Sequence, residues 1–282
     1  MGTLTGNPGD STGQRLETAL LLRAYSAGLF PMADAREADD VFWVEPRRRG
    51  VLPLDGFHLS RSLAKTLKQE RFRHSRDVAF EAVIRACSAA APGRDQSWIN
   101  RTILDAYCRL HAEGHAHSLE TWDSDGQLVG GLYGVRLGGA FFGESMFSRA
   151  TDASKAALAH LVARLRAGGF RLLDTQFLTA HLARFGGHEV KRSHYMAALD
   201  VALRHRADWT ALDRQLGIDP QAVGVAAAAA GTAGAGAAGA GSAGVAGLGA
   251  GLPDDGLFLP VELLGGLGPS GKRIVQLLSQ TS

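Results

Sequence analysis

The sequence predicts an α+β fold, with a small N-terminal subdomain followed by a larger domain of helices and strands. Three observations carry this. A helical pattern opens at Leu59, with Ser60 as its cap, and continues to about residue 115. Three strand patterns then follow in succession, His117–Trp122, Gln127–Val135 and Ala140–Phe147, separated by the turns DSDG and Leu137-Gly138-Gly139. A further helix leads directly into one more strand, Phe170–Phe177.

The remaining elements fall in order around these. Residues 1–13 are rich in Gly, Ser, Thr and Asp and are expected to be disordered. Leu16, Leu20 and Tyr25 recur at helical spacing over 15–29; Gly28 ends that helix and Pro31 forbids its continuation. Short strands and turns around Trp43, Pro46 and Pro53 complete a subdomain spanning 14–59. In the larger domain, 60–206, Thr151 or Asp152 caps a helix that ends at Gly168-Gly169. After the strand at 170–177 come a short helix ending at Gly186-Gly187 and a final helix, Ser193–Arg206. The rest, 207–282, reads as a low-complexity linker and tail. Residues 221–251 are almost entirely Ala, Gly, Val and Ser, and each Gly costs a helix about 1 kcal/mol relative to Ala, so a flexible, disordered Ala/Gly-rich segment is expected. The apolar stretch LFLPVELLGGLG after it suggests no function.

Composition bounds the function. A chain of 282 residues can bury one sizeable core, or one core and a small partner domain. The formal charge of +2 is too small to announce nucleic-acid binding, so any such surface must be local. Cys87 and Cys108 are too few for a disulfide framework. The start, MGTLTGNPGDSTGQ, lacks the basic and apolar regions of a secretory signal, and no stretch reads as a membrane span. A cytoplasmic protein with reduced thiols, no membrane association and a monomeric state is the expectation.

The residues with chemical potential lie between 132 and 176. Alternate strand side chains share a face, so Asp174 and Gln176 are expected to project together, with Leu173 and Thr175 turned away. Glu144 on an earlier strand adds an acid to that face. Leu132, Phe141 and Met146 lie on the hairpin strands; Leu158, Leu161 and Leu165 share a face of the next helix. Taken singly, these and Leu173 read as ordinary core. Arg61, Lys65 and Lys68 form one basic stripe, which by itself reads as a solvated helix face. His111 and His115 are four apart, but Gly114 ends the helix between them and nothing completes a ligand set with His117, so no metal is expected.

The wording of several segments closely resembles the leucyl/phenylalanyl-tRNA–protein transferases. The resemblance begins near LLRAYSAGLFPMAD and runs through FWVEPRRRGVLPLDGFHLSRSL, SWINRTILDAYCRLHAEGHAHSLETW and LVGGLYGV. It culminates in GGAFFGESMFSR and FRLLDTQFLTAHLARFGG, and it ends near His205. It implies a GNAT-like acyltransferase domain, a mixed sheet with flanking helices. It implies transfer of Leu, Phe or Met from aminoacyl-tRNA to proteins beginning with Arg or Lys, which creates an N-degron. No cofactor is implied, because exchanging an ester for an amide is downhill without ATP or metal. In the family's mechanism Asp174 orients Gln176, whose amide oxygen accepts a hydrogen bond from the attacking amine, and Glu144 suits a cationic acceptor. The seven apolar residues named above would form the amino-acid pocket. The helix at Ser60 would meet the acceptor stem, and Trp43, Trp98 and Tyr107 could stack on the terminal adenine. Two departures stand out: Thr179 replaces a usual Asn, and Met32 a frequent Trp.

The amine itself needs little help. An α-amino group has a pKa of about 7.7–8.0, so orientation matters more than a strong base. Asp174 in its usual range is a poor base toward an ammonium. Three rivals fit less well. An acyl-CoA-dependent enzyme needs a Gly-rich pyrophosphate loop, and MFSRATDASK has no glycine. A non-catalytic tRNA- or degron-binding module would need neither Asp174 nor Gln176. An acidic acceptor would be repelled by Glu144 and Asp174.

Overall fold

The computed structural model describes residues 16–90, 96–219, 257 and 268–280. The expected disorder at 1–13, the Ala/Gly-rich segment and most of LFLPVELLGGLG lie outside these residues. Helix α1 (Thr18–Ser26) leads to a two-stranded antiparallel ribbon, β1 (Phe30–Met32) with β2 (Phe42–Val44). A seven-stranded mixed sheet forms the body. In chain order its strands are β3 (Arg48–Val51), β4 (Arg73–Arg76), β5 (Ala116–Trp122), β6 (Leu128–Leu137), β7 (Ala140–Ser148), β8 (Leu172–Gln176) and β9 (His188–Lys191). In space they run β4-β5-β6-β7-β8-β3-β9.

Helices cover both faces. Helices α3 (Phe80–Ser88), α4 (Arg101–Ala112) and α7 (Arg192–Arg204) join α1 on one side, around Leu21, Ile84, Ile103, Phe142 and Leu199. Helices α2 (Arg61–Lys68) and α5 (Ala153–Ala167) cover the other, around Leu63, Phe141, Leu161 and Leu173. The short α6 (Ala180–Ala183) and α8 (Ala211–Leu216) fill the ends. Capping follows local chemistry: Ser60 accepts from the Leu63 N–H at 3.2 Å and Asn100 from the Ile103 N–H at 2.9 Å. At α5 the capping residue is Asp152, but its side chain bonds Lys155 at 2.6 Å and no backbone N–H.

Three findings depart from the expected layout. The helical stretch 59–115 is interrupted by β4, whose sequence RHSR shows no apolar alternation although His74, Ser75 and Arg76 are all buried. Strand β3, expected within the N-terminal subdomain, is inserted between β8 and β9 of the main sheet. The segment expected to be linker from 207 onward contains α8 and, after the undescribed residues, an amphipathic helix α9 (Gly271–Ser279). Ile274, Val275 and Leu278 of α9 enter the core beside Leu63 and Leu67. Gly271 allows this approach, since a Cβ there would lie 2.1 Å from the Leu67 carbonyl oxygen.

Beneath α5 a buried polar network joins β4, β5 and α8. Arg164 and Arg76 grip Asp213 at 2.5 and 2.6 Å, while Asp77 accepts from Trp209 at 2.9 Å and contacts His117 at 3.0 Å. His74 and His160 lie ring to ring beside it, 5.7 Å apart. Burial pushes His74 down to about 4 and His160 well below its ordinary value. Both are therefore neutral in the fold at pH 7, whereas an unfolded chain protonates them near pH 6.5. The unfolded state binds more protons below that point, so stability is expected to fall as pH drops from about 6.5 toward 4. His74 alone would remove about 3 kcal/mol by the end of that window. Urea titrations of His74→Phe and His160→Leu should flatten the acid limb; an unchanged limb would exclude these rings as its source.

Candidate active site

The site originates in the only parallel pairing of the seven-stranded sheet. Strands β7 and β8 are in register at Ala140↔Leu172, Phe141↔Leu173 and Phe142↔Asp174, and the ladder ends there. Beyond it, Gly143–Met146 of β7 and Thr175–Phe177 at the end of β8 form walls of a cavity of about 490 Å³. Helix α5 supplies Leu158 and Leu161 as its floor, and β1 supplies Phe30 and Met32 to its rim.

Gln176 sits where β8 leaves extended geometry, at φ +54°, in the left-handed region that costs a non-glycine residue about 1–3 kcal/mol. Two features hold it there. Its backbone N–H donates to Asp174 Oδ1 at 2.8 Å, and Gly50 of β3 makes room, since a Cβ on Gly50 would lie 2.8 Å from both Leu178 N and Thr175 Oγ1. The Gln176 Nε2 donates to Glu144 Oε1 at 2.9 Å. With the NH2 end so engaged, the amide oxygen is left to accept.

Asp174 is completely buried and does not line the cavity. Arg49 grips its carboxylate through Nε at 2.9 and 3.0 Å and through Nη2 at 2.7 Å, and Tyr195 donates to it at 2.7 Å. Arg49 is 1 % exposed, spends Nη1 on the Gly28 carbonyl at 2.9 Å, and lies between the rings of Phe30 and Tyr195. Burial, with the negative Asp174 alongside, pushes the Tyr195 hydroxyl far above its usual range, so it remains a donor.

Glu144 is the acid on the cavity wall. Tyr25 donates to its Oε1 at 2.7 Å, and the Tyr107 hydroxyl lies 3.2 Å from its Oε2 and within hydrogen-bond distance of the Tyr25 hydroxyl, its one proton serving either acceptor. Burial raises its pKa to about 7; the Tyr25 hydrogen bond opposes the rise and the nearby Asp174 adds to it. Glu144 is therefore poised to change charge near neutrality, unlike an ordinary carboxylate.

Comparison with known proteins identifies the family. The family model for leucyl/phenylalanyl-tRNA protein transferase matches residues 51–200, and the model for that family's N-terminal domain matches 14–47. Similar proteins include the leucyl/phenylalanyl-tRNA–protein transferase of Rhizorhabdus wittichii, 64% identical over 67% of this chain and 75% of that protein. Those of Rhodopseudomonas palustris strain BisB18 and Nitrobacter winogradskyi are 55% and 54% identical over 72% of this chain, and 88% and 90% of their own lengths. The chain belongs to the leucyl/phenylalanyl-tRNA protein transferase family.

Seen as a member of that family, the transferase brings some expected residues together and separates others. Leu132, Met146, Leu158, Leu161 and Leu173 line the cavity. Phe141 and Leu165 do not: both are fully buried, and Phe141 stacks on Trp209 with centroids 5.4 Å apart. Strand alternation does not put Asp174 beside Gln176 in the site. The turn at Gln176 carries its side chain to the cavity, while Asp174 stays behind the sheet and acts on the Gln176 backbone, not on its amide. Trp98 lines the cavity and Trp43 on β2 is 37 % exposed, but Tyr107 is wholly buried and cannot stack on a base. Arg61, Lys65 and Lys68 all lie on the exposed face of α2. Met32 and Thr179 line the cavity, and the Thr179 hydroxyl caps α6 by accepting from Leu182 N–H at 3.2 Å.

Sequence reasoning missed Arg49, Tyr25 and Tyr195. Arg49 is hidden in the run Arg47-Arg48-Arg49, whose neighbours are exposed. No local signal marks it: Gly50 beside it is buried as well, so β3 shows no alternation.

Proposed function

We propose that this transferase moves Leu, Phe or Met from aminoacyl-tRNA to the α-amine of polypeptides beginning with Arg or Lys, and so creates an N-degron in the cytoplasm. The observation that carries the reading is the Gln176–Glu144 hydrogen bond on the wall of an apolar cavity. It fixes an amide oxygen as an acceptor for the amine and places an acid close by for a cationic first residue. Once the amine is aligned, attack on the ester carbon needs no strong base, since the amine is partly neutral near pH 7.5. Asp174, with Arg49 and Tyr195, holds Gln176 in its strained conformation and touches no substrate. A cavity walled by Leu, Met and Phe separates side chains unbranched at Cβ weakly, because a methylene is worth only about 1–3 kcal/mol. Among the described residues, no helix is long and apolar enough to cross a membrane.

The acyl-CoA alternative is disfavoured at the start of α5. A Cβ on Gly130 would lie 2.6 Å from the Ala153 Cβ, so β6 packs directly on the first helical turn, and the Asp152 carboxylate stands beside it. A pyrophosphate would meet both a wall and a negative charge.

The tRNA acceptor stem is assigned to the α2 stripe. Replacing Arg61, Lys65 and Lys68 together with Gln should lower the slope of log Kd for tRNA against log salt by up to roughly 2–3. An unchanged slope would show that the stripe meets no phosphate.

The test of the function is transfer of labelled Leu or Phe from charged tRNA to peptides beginning with Arg, Lys, Asp or Ala, without ATP. Labelling confined to the Arg and Lys peptides is expected. Labelling of all four would remove the role given to Glu144, and labelling of none would remove the transfer reading.

A further inference from the structure

One wall of the cavity carries a group that amino-acid binding and amine alignment do not use. His181, the second residue of α6, lines the cavity; its Nε2 is buried and has no hydrogen-bond partner among the described residues. Its ring packs against Phe185 at 73°, with centroids 5.2 Å apart. Two more atoms of the lining, Thr175 Oγ1 and Tyr133 Oη, are also buried without a partner among the described residues. An unpaired buried polar group costs about 1–3 kcal/mol, so such groups around a ligand cavity point to ligand atoms that complete them.

The reaction leaves one task unfilled. Amine attack on the ester gives a tetrahedral adduct with a surplus proton on nitrogen. Collapse breaks the bond from carbon to the ribose 3′-oxygen, which must leave as a hydroxyl. Gln176 can accept a hydrogen bond but cannot carry a proton. Glu144 already receives Tyr25 and Gln176 on Oε1, with the Tyr107 hydroxyl beside Oε2. Gln176 therefore cannot make the transfer, and Glu144, though it titrates near neutrality, must give up one of these donors to do so.

We propose that His181 is a catalytic residue of the transfer, taking the proton from the adduct nitrogen at Nε2 and giving it to the departing ribose 3′-oxygen. A carbon–nitrogen bond forms, a carbon–oxygen bond breaks, and one proton moves from nitrogen to oxygen, leaving the imidazole unchanged. Burial first, then the cations of Lys155 and Arg184, hold the free ring below its usual pKa. It therefore begins the cycle neutral and able to accept. The inference rests on the transfer reading above.

The experiment compares wild type, His181→Ala and His181→Gln in transfer from Phe-tRNA to an Arg-initiated peptide, with thermal melts to establish folding. Both variants should lose about 100-fold or more in kcat, with KM for each substrate within about threefold of wild type. Added imidazole should restore part of the His181→Ala rate and none of the His181→Gln rate, because only the alanine variant leaves room for it. A kcat within about threefold of wild type, a loss carried by KM, or a loss that imidazole cannot restore in either variant would overturn the assignment. Failure of wild type to transfer would instead refute the reading on which it rests.

Discussion

Asp174→Asn is expected to destabilise the fold by about 3–5 kcal/mol and to reduce transfer by at least about 100-fold, while tRNA binding stays nearly intact. Asparagine keeps the shape of the side chain but removes the charge that faces Arg49. That guanidinium is 1 % exposed and would keep only neutral acceptors, the asparagine amide oxygen and the Gly28 carbonyl. A cation left uncompensated in the interior accounts for the stability loss, a large share of the roughly 5–15 kcal/mol that holds a domain together. The activity loss has a separate origin. Asp174 Oδ1 anchors the backbone N–H of Gln176 in a left-handed conformation, and a weaker anchor lets the amide drift from its place beside Glu144. The two effects can be separated. Arg49→Met alone should destabilise for the same reason, whereas Arg49→Met with Asp174→Leu should recover stability by filling the site with apolar groups. That double variant should not recover transfer. Urea denaturation and transfer assays on the three variants test this; a cost below about 1 kcal/mol for both single changes would show that the pair holds nothing together.

Glu144→Gln should remove a titration as well as a charge. Wild-type kcat/KM for Arg- and Lys-initiated peptides is expected to rise with pH through two groups, the peptide amine and Glu144 at about 7. In the variant only the amine remains, so the limiting slope of the logarithmic profile should fall from near two to near one. At pH 8, where wild-type Glu144 is ionised, the loss against cationic peptides should be about 2 kcal/mol, or roughly 30-fold. The stability effect runs the other way. The folded pKa lies above the unfolded one, so Glu144 binds its proton more tightly in the fold. Stability is therefore surrendered as pH rises from about 4.5 through about 7. Glu144→Gln should accordingly be more stable than wild type at pH 8 and not at pH 4.5. Calorimetry at the two pH values reads this directly. A variant with unchanged slope would place the titrating group elsewhere.

The sequence by itself determined the succession of strands β5 to β8, their turns, the Ser60 cap and the family, because each is written in neighbouring residues. Alternation and 3.6-residue spacing also put Leu132, Met146, Leu158, Leu161 and Leu173 on the faces from which the cavity is built. These patterns are local, and local geometry is what propensity and periodicity report. The tertiary structure decided the rest. Arg49 is one of three consecutive arginines, and only the insertion of β3 beside β8 selects it as the partner of Asp174. Tyr107 reads as a candidate stacking residue until the packing of α1 and α4 brings its hydroxyl to Tyr25 and Glu144. Strand β4 was invisible because its side chains are polar yet buried, Arg76 through an ion pair with Asp213, 137 positions away. The unpaired Nε2 of His181 and the raised pKa of Glu144 depend on what surrounds them, not on what adjoins them in the chain. Burial and charge pairing are sums over distant neighbours, and no window of sequence contains those sums.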